Sequence, residues 1–104
     1  MKRQTINVTL NDGSQVVQGY VSPSFPGVAI HRSVQVDAWT ATHIGSGLAV
    51  SGMFPLRRRA VEFATLACRM MDFTRSSEDL DRLAARQPDL GPKLRELAAR
   101  LKRN

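Results

Sequence analysis

Ile6, Val8 and Leu10 alternate with Asn7, Thr9 and Asn11, the period-two spacing of a strand with one buried face. Asp12-Gly13 follows with residues that favour a tight turn, and residues 16–21 are predicted to return beside the first strand as a hairpin. The loop Ser22-Pro23-Ser24-Phe25-Pro26-Gly27 separates this hairpin from a third alternating run built on Val28, Ile30 and Val34. Residues 39–44 and 48–53 flank Gly45-Ser46-Gly47, which predicts a second hairpin and an antiparallel meander of four or five strands. On a strand over 39–44, Trp39, Ala41 and His43 share one face while Thr40, Thr42 and Ile44 share the other.

At Phe54-Pro55 the period changes. Leu56, Ala60, Phe63, Ala64, Ala67, Met70 and Met71 fall within an arc of roughly 120° at 100° per residue, predicting a helix over 55–73 with Pro55 at its first position. Its opposite face carries Arg58, Glu62, Thr65, Arg69 and Asp72. Ser76 with Asp79 resembles a capping box, and Glu78, Asp79 and Asp81 suit the positive end of a second helix.

The segment from Leu80 to Arg86 is echoed 14 residues later by the one from Leu94 to Arg100, matching at five of seven positions. Leu80, Leu83, Leu90, Leu94, Leu97 and Leu101 therefore keep one heptad register. Pro88, Gly91 and Pro92 interrupt it, so two short helices are expected in place of one long one. The leucine stripe must bury either in the core or in a homodimer seam through Leu94, Leu97 and Leu101, with the dimer slightly favoured.

The expected architecture is thus α+β: one domain over 1–104, with a sheet in 1–53, a packing helix in 54–73 and a C-terminal helix pair in 76–103. At 104 residues, 42% hydrophobic and 23% charged, the chain has the composition of a small globular domain that folds unaided. Cys68 is the single cysteine, which excludes an intrachain disulfide and fits a reducing compartment. Gln4-Thr5-Ile6-Asn7 breaks any apolar run after Lys2-Arg3, and no run reaches the length of a membrane span, so a cytoplasmic protein without membrane contact is expected.

Charge changes the picture most. The formal net charge is +6, and it is concentrated in the helical half, where twelve basic residues face seven acidic ones; residues 1–53 hold three basic and two acidic residues. Twelve of the fifteen cations are Arg, the side chain suited to bidentate phosphate or carboxylate contacts. Arg57, Arg58 and Arg59 stand together at the start of the predicted helix, where the macrodipole disfavours cations by a few tenths of a kcal/mol each, about 0.3 or more. That misfit points to an anionic partner. The candidate partner-binding set is Arg57, Arg58, Arg59 and Arg69, with Arg32 near Trp39.

Other chemistry is weaker. Trp39 could stack an unpaired base beside Arg32, but as the single Trp of a small domain it is expected in the core. Arg95, Arg100, Lys102 and Arg103 on the last helix could touch phosphates, without a set of side chains suited to base edges. His31, His43, Asp37 and Cys68 match no common zinc spacing, and Ser46 reads as a turn residue. No catalytic residues, metal site or cofactor are therefore expected, and an enzyme is the least favoured class.

The stretch Trp39-Thr40-Ala41-Thr42-His43, then Ser46-Gly47-Leu48-Ala49-Val50, followed by a basic helix start, resembles short uncharacterised proteins carried on bacterial phages and plasmids. The resemblance implies a mobile-element accessory protein and assigns no activity or site. Two readings stay open: a non-enzymatic protein engaging nucleic acid or a nucleoprotein complex through the Arg-rich face, and a phage-type inhibitor or adaptor of the anti-defence kind docking on an acidic protein surface.

Overall fold

The computed structural model describes residues 1–50 and 52–102. Four strands, β1 (Lys2–Leu10), β2 (Gly13–Val21), β3 (Val28–Arg32) and β4 (Trp39–His43), form one antiparallel sheet in the order β1-β2-β3-β4. Three helices follow: α1 (Arg57–Met70), α2 (Ser77–Arg86) and α3 (Leu90–Lys102). The α+β class is as the hydrophobic spacing predicts; α1 packs on β3 and β4, and α3 joins the same core against α1.

The alternation of β3 explains how the sheet is buried on both sides. Val28 and Ile30 point towards α1, where they meet Ala41 of β4 and the helix face formed by Ala60, Phe63, Ala64 and Ala67. Ala29 points the other way, into a second cluster with Ile6 and Val8 of β1. The long β1–β2 hairpin, paired from Lys2↔Val21 to Leu10↔Gly13, therefore curls over the sheet face that α1 leaves uncovered. Its free edge is tied down at the turn after β4: the Thr9 N–H donates to the Gly47 carbonyl at 2.8 Å and the Thr9 hydroxyl donates to the Ser46 carbonyl at 2.8 Å. Gly47 makes this approach possible. It has φ of +73°, and a Cβ there would lie 2.6 Å from the Asn7 carbonyl oxygen.

The second hairpin is only partly regular. After β4 the chain turns through Gly45-Ser46-Gly47 and runs back along it, but among the described residues only the bridges Thr42↔Ala49 and Trp39↔Phe54 form. Between those bridges the returning segment has two more residues than β4, so a continuous ladder cannot be kept. The strand expected over 48–53 is therefore a broken edge, and its position Ser51 lies outside the described residues. Val34 likewise falls after the end of β3, which stops at Arg32.

The helix predicted from Pro55 begins two residues later. Leu56 is its extended N-cap, with φ of −122° and no side-chain capping bond, and it is 42% exposed instead of lying on the buried stripe. In α2, Ser76 caps as expected, its hydroxyl accepting the Asp79 N–H at 3.2 Å. In α3, Pro92 sits in the first turn, where its missing N–H removes no intrahelical bond, so the helix starts at Leu90, two residues before the proline. Leu90, Leu97 and Leu101 are buried within this one chain, and Leu94 is packed against the same core. The side chains expected to form a homodimer seam are thus occupied by α1 and the sheet, because the turn at 87–89 folds α3 back onto α1.

Candidate anion-binding site of arginines and aromatics

Arg3 lies directly across β1–β2 from Tyr20, and Arg32 directly across β3–β4 from Trp39. Tyr20 is in turn registered with Ile30, two positions before Arg32, so the topology brings all four side chains to one region of the α1 side of the sheet. The Tyr20 and Trp39 ring centres are 6.4 Å apart, with their planes inclined at 45°. Both rings are half-buried, lying just past the start of α1.

Arg57, the first residue of α1, completes the arrangement. Its guanidinium carbon lies 5.3 Å from the Tyr20 ring centre and 5.8 Å from that of Trp39. The Arg32 guanidinium lies 5.5 Å from Trp39, and that of Arg3 lies 5.8 Å from Tyr20. The result is an alternation of cation and ring: Arg3, Tyr20, Arg57, Trp39, Arg32. Each ring presents its negative face to two planar cations, an attraction worth about 0.5–1 kcal/mol per contact at exposed sites. A guanidinium over a ring still has N–H groups with which to grip phosphate or carboxylate in bidentate fashion. Arg32 is also ion-paired to the exposed carboxylate of Asp37. Among the described residues, Arg3 and Arg57 have no carboxylate partner.

The dipole misfit at the start of α1 therefore has a local resolution for Arg57, whose charge is stabilised by two aromatic faces. The other members of the expected Arg face go elsewhere. Arg59 forms a 3.0 Å ion pair with Glu62 one turn on. Arg58 is exposed on the far side of α1, and Arg69 lies in a groove between α1 and α3 with Leu66, Met70, Leu97 and Arg100. The structure brings Arg57 and Arg32 together and disperses Arg58, Arg59 and Arg69. Tyr20 and Arg3 were not singled out from the sequence. Their signal was their parity on the hairpin, which places them with Thr5 and Gln18 on the face opposite Ile6 and Val8.

Trp39 is neither free nor a fully buried core residue. It leans on the main core from its margin and carries guanidinium groups on its rings, so the expectation that it is core holds for part of its surface.

The two histidines are structural struts. His43 Nε2 donates to the Arg75 carbonyl at 2.9 Å, which fixes the tautomer and leaves Nδ1 to accept the Ser46 hydroxyl at 2.8 Å; this chain of bonds ties β4 to the loop between α1 and α2. His31, on the other side of the sheet, donates from Nδ1 to the Arg32 carbonyl at 2.8 Å and accepts the Thr42 hydroxyl at Nε2, 2.7 Å away. Burial pushes its pKa below the ordinary histidine value, and the bond to the Arg32 carbonyl opposes that shift in part. The Cys68 thiol is pushed up to about 11, first by burial and then by the nearby Asp72 carboxylate, which leaves it a poor nucleophile. Among the described residues no three His, Cys, Asp or Glu side chains group as metal ligands would, and no helix is long and apolar enough to cross a membrane.

Compared with protein-family models, curated proteins and solved structures, the chain finds no match in any of the three.

Proposed function

We propose that the protein is a non-enzymatic nucleic-acid-binding module whose contact surface is centred on Arg3, Arg32 and Arg57 over Tyr20 and Trp39. The observation that carries this reading is the Arg57 guanidinium, lying over two aromatic rings with no carboxylate partner among the described residues. Holding an arginine in this way reduces the side-chain entropy lost when it meets an anion, and leaves its bonding edges available. The net charge of +6 adds long-range attraction to a polyanion. A role as an accessory factor of a phage or plasmid rests on the resemblance of the hairpin from Trp39 to Val50 and the basic helix start after it, and a cytoplasmic location on the single cysteine, Cys68.

Trp39 is the single Trp of the chain and lies in the site, so its emission reports occupancy directly. Titration with short mixed-sequence oligonucleotides should change that emission, with an affinity falling as salt rises by a log–log slope of about −0.7 to −0.9 per phosphate neutralised. Unchanged emission and no binding at low salt would overturn the reading.

A second reading has its own support. The groove between α1 and α3 is lined by apolar Leu66, Met70 and Leu97 with Arg69, Lys93 and one acidic residue, Glu96, a basic balance that suits an acidic protein surface. Tight binding to one acidic protein, without affinity for nucleic acid, would favour the inhibitor or adaptor role.

A further inference from the structure

We infer that this site takes single-stranded nucleic acid in preference to duplex, with unpaired bases seated on the guanidinium planes and aromatic rings; the inference rests on the nucleic-acid reading above. The alternation Arg3, Tyr20, Arg57, Trp39, Arg32 offers two kinds of contact at once. The N–H edges of the arginines suit phosphates, which every nucleic acid displays. The planes suit base faces, which a duplex hides in its own stack and a single strand leaves open.

The geometry is compatible with the second kind. Tyr20 and Trp39 are inclined at 45° with centres 6.4 Å apart, and the Arg57 guanidinium lies 5.3 and 5.8 Å from those centres, so the two rings already share one planar group. A base has the same flat shape as a guanidinium. It can stack on the outer face of Arg57, or take its place over the rings while Arg57 moves to the adjoining phosphate. The surroundings favour an extended strand: the site lies at the margin of the α1 side of the sheet, flanked on β1–β2 by the exposed Thr5 and Gln18. Gln18 already donates to the Thr5 hydroxyl at 2.8 Å, so binding here is expected to be tolerant of sequence.

The test compares one mixed-sequence oligonucleotide as a single strand, as a duplex, and as an abasic single strand of the same length, by fluorescence anisotropy at one fixed moderate salt concentration. The full chain is used as wild type, Arg57→Lys and Arg57→Gln. One base stacked in the site corresponds to roughly tenfold tighter binding of the single strand than of the duplex. The abasic strand should lose most of that gain. Arg57→Lys, which keeps the charge and removes the plane, should lower single-strand affinity more than duplex affinity; Arg57→Gln should weaken both. Equal wild-type affinity for the single strand and duplex, or an abasic strand that binds as well as the intact one, would overturn this inference and leave the nucleic-acid reading standing. No binding of any of the three would overturn both. The abasic strand makes the test independent of how the variants fold.

Discussion

The Arg57 guanidinium stands 5.8 Å from the ring centre of Trp39, across the boundary between the helical and sheet halves of the chain. Both residues draw attention in the sequence for separate reasons, Arg57 as a cation at the wrong end of a helix and Trp39 as a single large aromatic. Their juxtaposition answers both. The ring provides a partner for the misplaced charge, and the charge explains why part of the ring stays at the surface when its area would otherwise favour full burial.

Trp39→Ala is expected to lower stability by about 1–3 kcal/mol, less than the roughly 3–5 kcal/mol typical of a fully buried aromatic, and to weaken oligonucleotide binding at least about tenfold. Trp39→Phe should recover most of the stability and part of the binding. Denaturant melts alongside anisotropy titrations check both. A loss of stability with wild-type affinity would make Trp39 a core residue alone.

Much of the scaffold was legible because it follows from local periodicity. The alternation around Ile6 and Val8, the face of α1 built on Ala60, Phe63 and Ala67, and the Ser76 cap each depend on residues a few positions apart. The site depends on distant ones. Arg3, Tyr20, Arg32, Trp39 and Arg57 come from four strands and a helix, and only the strand registers and the curl of the β1–β2 hairpin place them together. The run Arg57-Arg58-Arg59 suggested one basic face, yet consecutive helical residues point about 100° apart, so the three had to separate. The leucine stripe misled for a related reason: a heptad register fixes which residues share a face but not whether that face meets another chain or folds back on its own.

Gly47→Ala is expected to be among the most damaging surface-loop changes. The residue has φ of +73°, and its new Cβ would fall 2.6 Å from the Asn7 carbonyl and 2.7 Å from the Thr9 hydroxyl. The left-handed conformation alone costs about 1–2 kcal/mol, and the contact with β1 adds to it. Loss of the tie between β1 and this turn should also disturb Arg3 and Tyr20 on the same hairpin. Thermal melts and faster amide exchange along β1 would show it; a midpoint unchanged from wild type would mean that the hairpin does not need this close approach.

Stability should fall as the pH drops from 7 towards 5, and His31 should be one cause. Its folded pKa lies below the unfolded value of about 6.5, so between the two the unfolded chain binds more protons and acidification favours unfolding. One such proton gives a slope of at most about 1.4 kcal/mol per pH unit. The lowered carboxyl pKa values of Asp72, held by Thr74, and of Asp89, held by Lys93, act in a separate window, below the ordinary Asp value of about 4. His31→Gln should therefore flatten the profile between pH 7 and 5 and leave the acid limb below pH 4 in place, as followed by urea melts at stepped pH.

The chain should be monomeric as far as the leucine stripe is concerned. Leu97 and Leu101 are only 6% and 7% exposed within the monomer, which leaves little of either for a partner. Leu101→Ala should cost about 2–4 kcal/mol at any protein concentration, where a dimer seam would make the melting midpoint rise with concentration. Light scattering and melts over a hundredfold concentration range distinguish the two.

Single substitutions within the arginine run should have unequal effects. Arg57→Gln removes contacts with two rings worth about 0.5–1 kcal/mol each and relieves a dipole repulsion of about 0.3 kcal/mol or more, so a small net loss of stability is expected together with a large loss of nucleic-acid affinity. Arg59→Gln breaks its 3.0 Å pair with Glu62, a partly exposed interaction worth below about 1 kcal/mol, and should weaken affinity only through net charge. Arg58→Gln, at an exposed position without a carboxylate partner among the described residues, should leave stability level or slightly higher and weaken binding only through net charge, an effect that salt screens away. Melting midpoints and salt-dependent affinities of the three variants decide the matter. If all three lose affinity equally, the contact surface is the whole helix start and not the alternation of arginines and rings centred on Arg57.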